Sequence, residues 1–340
     1  TNGTVKKIKE ILLKDRNGQN ISGLPNANFG ATKEAAYDIY GKLLSHQTDE
    51  YGLDAEGLVA MKDGSFWVSD EYGPHIVHYD ANGVEIDRIN AFEKDTRRIG
   101  GYLLPAEFAN RRPNRGMEGL TITPDGKTLV GIMQSTMDNP TTAVNKSDLT
   151  RIVTIDLETK KVKQYLYKQE GGAKAYSNSA ITALSNTSFL VLERDGDFYR
   201  DNPSAFKRVY KIDLRNATNL EDIAETAQIK QDAKLGLTID GQTLEQYVLA
   251  KGWDGLKTQG ILPPTKTLVL DMIEKVKFPH DKMEGLWLID DKRLGLINDD
   301  DFALWVTNGV LEQKYLDQDK KKIDSNTLYI IDGLDLKAIP

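Results

Sequence analysis

The triplet Glu-Gly-Leu occurs three times, at Glu56-Gly57-Leu58, Glu118-Gly119-Leu120 and Glu284-Gly285-Leu286. In each copy an Asp follows the Glu by seven positions (Asp63, Asp125, Asp291), and a second apolar run comes next. That run ends in polar residues, Ser69-Asp70-Glu71 in the first copy and Asn298-Asp299-Asp300-Asp301 in the third. The unit reads as a strand, a tight turn and a return strand, with an acidic group near corresponding strand ends. Hairpins of this kind stacked around an axis make a β-propeller and gather their carboxylates at one mouth of a central channel.

Turn chemistry supports the pattern. Lys62-Asp63-Gly64 separates apolar runs over Ala55–Met61 and Ser65–Ser69, and further strands are expected at His75–Tyr79 and Val84–Ile89. A second blade is expected over Gly119–Thr123, Thr128–Met133, Arg151–Asp156 and Val162–Tyr167. A degenerate blade is expected over Ala180–Leu184, Phe189–Glu193, Arg208–Asp213 and Thr267–Met272, and a last one over Gly285–Ile289, Leu294–Ile297 and Thr327–Ile331. Residues 4–13 alternate in a way that suits a strand or a short amphipathic helix, and the turn residues after them favour a strand. Residues 32–45 read as weakly helical or irregular. Residues 217–260 read as a partly helical insertion, with Leu244, Tyr247 and Val248 at helical spacing. No linker divides the chain, so residues 1–340 are expected to form one all-β domain. It would be a propeller of four-stranded antiparallel blades, about five to seven in number, closed by pairing of its N-terminal strand with C-terminal strands.

The formal net charge of −7 argues against a nucleic-acid-binding surface, which needs clustered Lys and Arg. Cysteine is absent, which removes disulfides, thiolate metal sites and a Cys nucleophile. No apolar run approaches the roughly 18 residues of a membrane-spanning helix. Phosphate-binding loops, dinucleotide fingerprints, a Gly-x-Ser-x-Gly elbow and His-Glu-x-x-His are all absent from the sequence.

The acidic residues carry the candidate chemistry. Glu56, Glu118 and Glu284 should face the axis from innermost strands, with Asp70, Glu71, Glu193, Asp195, Asn298 and Asp299 near the same rim. Like charges a few ångströms apart raise one another's pKa, and a hard cation is the usual compensation. Oxygen-only ligands suit Ca²⁺, with Mg²⁺ as the alternative, and four His residues are few for a transition-metal centre. Glu56, Glu118, Glu193, Glu284, Asn298 and Asp299 are the candidate ligands, and Glu71, Asp70 and His75 are the candidate proton-transfer groups. Arg97, Arg98, Arg111, Arg112 and Arg115 form a basic loop before Glu118; Arg194 lies between Glu193 and Asp195. Of these, Arg97, Arg98, Arg112, Arg115 and Arg194 are candidates for holding an anionic substrate through guanidinium forks. Structural readings stand beside each of these: Gly for close packing, Glu tying down backbone amides, a solvated Arg loop, and His75 or His280 as ordinary structural histidines. Asp63, Asp125 and Asp291 read as turn residues.

The segments around Asp54-Ala55-Glu56-Gly57-Leu58, Phe66-Trp67-Val68-Ser69-Asp70-Glu71-Tyr72-Gly73-Pro74 and Asn114-Arg115-Gly116-Met117-Glu118-Gly119-Leu120 resemble the phytase-like family described as "esterase-like activity of phytase". The resemblance continues through Leu192-Glu193-Arg194-Asp195, Met283-Glu284-Gly285-Leu286 and Asn298-Asp299-Asp300-Asp301-Phe302. It implies an exported bacterial protein, periplasmic or secreted, of propeller-like fold, hydrolysing phosphoric or other esters of small molecules. Such members usually carry a further blade segment, with an Asp-Arg-Gly-Pro motif, ahead of the position of Thr1. A metal-dependent phosphoester hydrolase is therefore the leading expectation. A metal-dependent lactonase or carboxylesterase and a non-catalytic scaffold propeller are the alternatives.

Overall fold

The computed structural model describes residues 4–29, 35–38, 40–171, 176–307 and 310–339. They form mostly β structure. The first sheet contains β1 (Ala55–Ala60), β2 (Phe66–Asp70), β3 (His75–Tyr79) and β4 (Glu85–Ile89), antiparallel and in chain order. The second repeats this with β5 (Met117–Ile122), β6 (Thr128–Met133), β7 (Leu149–Asp156) and β8 (Val162–Lys168). The third begins with β9 (Ser177–Ala183), β10 (Ser188–Arg194) and β11 (Lys207–Asp213).

The expected insertion follows, holding β12 (Ile229–Asp232), β13 (Gly236–Ile239), β14 (Gln242–Thr243) and helix α1 (Leu244–Thr258). Thr243 and Gln246 cap α1 reciprocally. The insertion packs Leu244, Tyr247 and Val248 against Leu149 and Leu166 of the second sheet. There Arg151 Nη2 donates to Glu245 Oε1 at 2.6 Å, both side chains buried. The third sheet is completed by β15 (Thr265–Asp271) beside β11. The fourth sheet has three strands, β16 (Met283–Leu288), β17 (Leu294–Asn298) and, after a small hairpin of β18 (Leu304–Thr307) and β19 (Val310–Gln313), β20 (Leu328–Ile331).

Turns and glycines explain this arrangement. Gly64 and Gly126 adopt positive φ in the turns after β1 and β5, while Asp63 and Asp125 accept from the backbone N–H of Ser65 and Lys127 at 3.0 Å. Both aspartates are turn residues, as their position before Gly implies. The innermost strands touch in series, β1 on β5, β5 on β9 and β9 on β16. Behind them the sheets pack face to face. Val59, Trp67 and Ile76 meet Leu129 and Met133; Val130 and Ile132 meet Ile181 and Val191; Leu190 and Leu192 meet Leu294 and Leu296. The glycine of the repeat permits the close inner contact. A Cβ on Gly57 would lie 2.5 Å from Leu120 N, and one on Gly119 would lie 2.8 Å from Ile181 N.

The four sheets thus fan out from a shared centre. Two expectations are corrected at the N-terminus. Residues 4–13 form no strand, because Val5 and Ile8 fall on opposite faces of an extended chain and three lysines interrupt them. They also make no pairing with the fourth sheet; the first backbone ladder contact is Lys14, bridging Val84 beside the first sheet. Residues 35–38 and 40–45 are irregular, and residues 32–34 and 39 of that expected segment lie outside the described residues. No helix among the described residues is long and apolar enough to cross a membrane.

Because the backbone of Ala180 and Ile181, together with the Ile132 side chain, stands against Gly119, Gly119→Ala should destabilise the fold by about 1–3 kcal/mol. Chemical denaturation would measure this, with Gly196→Ala, where a Cβ meets nothing within 4 Å, as the neutral comparison. Equal stability of the two variants would contradict the close-approach account.

Candidate functional site

Each inner strand is bulged at the repeat. Register slips between Ala55 and Leu58 on β1, Met117 and Gly119 on β5, and Met283 and Gly285 on β16. Glu56, Glu118 and Glu284 sit at these slips. The third sheet bulges between Asn178 and Ala180, where Ser179 takes the place of the Glu. A bulge re-aims the extra residue, and here it sends the carboxylates toward the centre of the fan. The return strands contribute at matching positions. Asp70, Met133, Glu193 and Asn298 pair with the residue before the bulge, and the next residue in each case (Glu71, Gln134, Arg194, Asp299) faces the centre. These side chains line a cavity of about 310 Å³ together with Ser177, Arg112, Arg115 and Lys282.

Within it, Gln134 Nε2 donates to Glu118 Oε2 at 2.9 Å and also to Glu71 Oε1. Arg194 Nε donates to Ser179 Oγ at 3.1 Å, and its Nη2 pairs with Glu284 Oε1. Arg115 Nη1 reaches Gln134 Oε1, Ser135 Oγ and Ser177 Oγ at 3.1–3.3 Å. Lys282 Nζ donates to Asp301 Oδ1 at 2.7 Å and lies 3.6 Å from Asp299 Oδ2. Glu56 keeps an exposed face yet has protein on its other sides. Loss of bulk water, then the charges of Glu284, Glu71, Asp54 and Asp299, push its carboxyl up to about 9. Burial, then Asp54 and Glu284, push Glu71 up to about 8. Burial drives Glu118 well above the usual carboxylate range, and Glu71, Glu284 and Glu56 add to it. Burial, followed by the nearby Arg112 and Arg194, lowers Arg115.

The structure therefore brings together Glu56, Glu71, Glu118, Glu284, Asp299, Arg112, Arg115 and Arg194. It places the other sequence-derived candidates elsewhere. Asp70, Glu193 and Asn298 stand one residue earlier on the return strands, so the pleat turns them behind the cavity. Asp70 Oδ1 accepts from Asp54 N at 2.9 Å and Tyr72 N at 3.1 Å. Glu193 is buried against Tyr167 OH and Lys266 Nζ. Asn298 accepts from Thr327 N at 2.7 Å. His75 is fully buried, contacting Phe29 O and Asn90 Nδ2. Burial, with Arg88 and Arg97 nearby, holds its pKa well below the ordinary value. Arg97 is clamped by Asp95 at 2.7–2.8 Å. Arg98 donates to Phe92 O and Tyr102 O, both at 2.9 Å. His280 is buried between Asp324 and Tyr329.

Sequence reasoning missed Asp54, Gln134, Ser177 and Lys282. A signal existed. Asp54, Ser177 and Lys282 each precede the bulged residue by two, the same-face spacing of a strand, and Gln134 is the second-sheet counterpart of Glu71. Asp54, Glu56 and Glu71 each offer a carboxylate oxygen, all within 4.8 Å of one another. Glu284 Oε2 is buried without a hydrogen-bond partner among the described residues. This donor set, carboxylate oxygen only, fits a hard divalent cation.

Glu56 and Glu71 bind protons more tightly in the folded chain than at the ordinary value of 4.5. Folding thus takes up protons between that value and about 9, and stability falls as pH rises through the window. Melting temperatures of chelator-treated protein should decline over this range, and Glu71→Gln should flatten the decline. A flat profile for the unsubstituted chain would contradict the crowding.

A family model described as "Phytase-like: Esterase-like activity of phytase" matches residues 1–302. An "Uncharacterized secreted protein" of Arthroderma benhamiae is 29% identical over 162 residues, covering 40% of this chain and 31% of the relative. The chain therefore spans under a third of that relative's length. Solved structures of virginiamycin B lyase from Staphylococcus aureus are similar at a distance. The selenomethionine-substituted form matches with TM-score 0.32 and 13% identity, covering 82% of this chain and 75% of that one. A catalytically inactive form with quinupristin gives 0.33 and 13%, covering 88% and 85%. The assignment rests on the family model, whose match takes in the first three sheets, β16 and β17 of the fourth, and every residue that lines the cavity: the chain belongs to the phytase-like family, "esterase-like activity of phytase".

Proposed function

We propose that the chain is a hydrolase of ester bonds, acting on a small phosphoric ester in the central cavity. The observation that carries this reading is the division of charge there. Asp54, Glu56 and Glu71 crowd one side, while Arg112, Arg115 and Lys282 line the same cavity. Carboxylates alone repel a phosphate; guanidinium groups alone bind one without activating it. Asp54, Glu56 and Glu71 would hold Ca²⁺, or Mg²⁺ in its place. Such an ion, when bound, supplies Lewis acidity toward an ester oxygen and makes water a better nucleophile.

The chain's own groups have distinct tasks. Arg115, fixed by Gln134, Ser135 and Ser177, and Arg112 bind and orient phosphate oxygens. Glu284 Oε2, buried without a hydrogen-bond partner among the described residues, accepts the proton of the attacking water. Glu118, which burial keeps protonated, gives its proton to the leaving oxygen as the phosphorus–oxygen bond breaks. Gln134 holds Glu118 and Glu71 in place between these events. The arginines favour a phosphoric ester over a neutral lactone, which offers a guanidinium no charge to pair. The same proposal reads the four sheets as blades of a closed propeller of about five to seven blades. It takes the secreted description of the fungal relative as pointing to export.

Calorimetric titration of chelator-stripped protein should show Ca²⁺ binding that Glu56→Gln and Glu71→Gln each weaken at least tenfold. Turnover of p-nitrophenyl phosphate should depend on the ion and be inhibited by free phosphate. Arg115→Met should raise KM by about 10–100-fold, the loss of a charged hydrogen-bonding site. Hydrolysis of p-nitrophenyl acetate alone would replace the phosphoester reading with a carboxylesterase. Absence of ion binding would remove the metal from it.

A further inference from the structure

The central cavity is small and almost wholly polar. Every residue that lines its 310 Å³ is polar or charged except Pro113. It suits a phosphate and a cation, and it offers an apolar alcohol nothing to pack against.

A second cavity, of about 590 Å³, adjoins it. The wall between the two is an ion pair. Lys282 lines the central cavity, its Nζ donates to Asp301 Oδ1 at 2.7 Å, and Asp301 lines the second cavity. The backbone takes the same short path, since Asp301 N donates at 2.9 Å to Oδ1 of Asp299, which lines the central cavity. Beyond the pair the chemistry changes. Phe302, Leu304, Trp305, Val306 and Leu311, in and before the β18–β19 hairpin, form the wall together with Tyr37. The two acids there are occupied. Asp38 Oδ1 accepts from the N–H groups of Tyr40 and Lys42 at 2.9 and 3.0 Å, and Asp301 is shared by Lys282 and Lys314. A largely apolar volume of this size is that of an ordinary small-molecule site.

The backbone beside it is strained. Asp301, Phe302 and Ala303 have φ of 48°, 58° and 57°, three successive residues in the left-handed region that side-chain-bearing L-residues rarely enter. Lys314 holds the segment there, through its N–H to Ala303 O at 2.7 Å and its Nζ to Asp301. The strain places the Phe302 ring in water, 94% exposed. Trp305, by contrast, is braced edge-on by Phe198, with ring centroids 5.9 Å apart. Strained residues cluster at ligand clamps, and an exposed ring gains most from an apolar or aromatic ligand that covers it.

We propose that the second cavity takes the alcohol of the ester, so that the substrates are phosphoric monoesters of bulky apolar or aromatic alcohols. The phosphate lies in the central cavity and the alcohol across the Lys282–Asp301 pair. The inference rests on the hydrolase reading and names its substrate class. A polyphosphorylated polyol fits this side poorly, because Lys282 and Lys314 are already paired with Asp301.

Naphthylethyl phosphate and ethyl phosphate carry similar leaving oxygens and differ in apolar bulk. With Ca²⁺ present, KM of the unsubstituted chain should be at least tenfold lower for the naphthylethyl ester. Leu311→Asp and Trp305→Ala, both at partly exposed positions, should each remove most of that preference. Equal KM values for the two esters, or a preference that survives both substitutions, would overturn the proposal. Fluorescence titration with naphthylethanol reads the second cavity without turnover, and both substitutions should weaken its binding at least tenfold. Binding that neither substitution weakens would place the apolar group elsewhere and overturn the subsite. Binding that both weaken, with neither ester hydrolysed, would bring down the hydrolase reading and this substrate assignment with it, while leaving the cavity a binding site.

Discussion

The close approach of neighbouring inner strands is the constraint on which the rest of the structure depends. Four sheets can meet at a common centre only if their first strands come nearer than side chains allow, and Gly57 and Gly119 are where they do. The same glycines sit beside the register slips that turn Glu56 and Glu118 inward. Fold and site therefore share one cause. A residue without Cβ lets the backbones touch, the touch is accommodated by a bulge, and the bulge presents the neighbouring carboxylate to the centre. At Gly285 the neighbour is instead the Ile297 side chain of its own sheet.

The price of that geometry is electrostatic. Besides burial, the charge of Glu284 raises the proton affinity of Glu56, Glu71 and Glu118, and that of Glu71 raises Glu56 and Glu118, so full ionisation of the cluster would oppose the contacts that bring it together. Compensation within the chain comes chiefly from the sheet that departs from the repeat. Where the others carry Glu at the bulge, the third has Ser179, and where the first and fourth carry acids on the return strand, it has Arg194. Arg194 spans to Glu284 of the next sheet, and Gln134 supplies a neutral amide between two acids of different sheets. The degenerate copy is thus what makes the acidic copies tolerable.

Much of this architecture was legible in the sequence, because it follows from periodicity and turn chemistry. The Asp-Gly turns, the hairpins of all four sheets and the helix carrying Leu244, Tyr247 and Val248 lie where alternation, turn residues and helical spacing put them. The phase of the return strands was not legible. Asp70 and Glu71 are adjacent acids, and only the bulge opposite them decides which faces the centre. Asp299 against Asn298, and Arg194 against Glu193, turn on the same point. The arginines of residues 97–115 divide on local partners: Asp95 sits two residues from Arg97 and captures it, whereas Arg112 and Arg115 reach the cavity. His75 was misleading for a related reason. It opens the expected strand, β3, but its ring is buried against Phe29 and Asn90 and does not face the cavity.

The break in the repeat also gives the cavity a direction. Four identical sheets would surround the axis with equivalent acids, and a bound species would have no preferred orientation about it. With Arg194 and Arg115 beside the third sheet and Asp54, Glu56 and Glu71 on the first, the charged groups around this small volume are unevenly distributed. For the small phosphoric ester proposed above, such an uneven ring would favour one orientation over the others. Orientation of a polar bond against fixed charges is what lowers a barrier in a preorganised site. A single substituted sheet thus supplies what three faithful repeats cannot, and the sequence marks it by the absence of the triplet that marks the others.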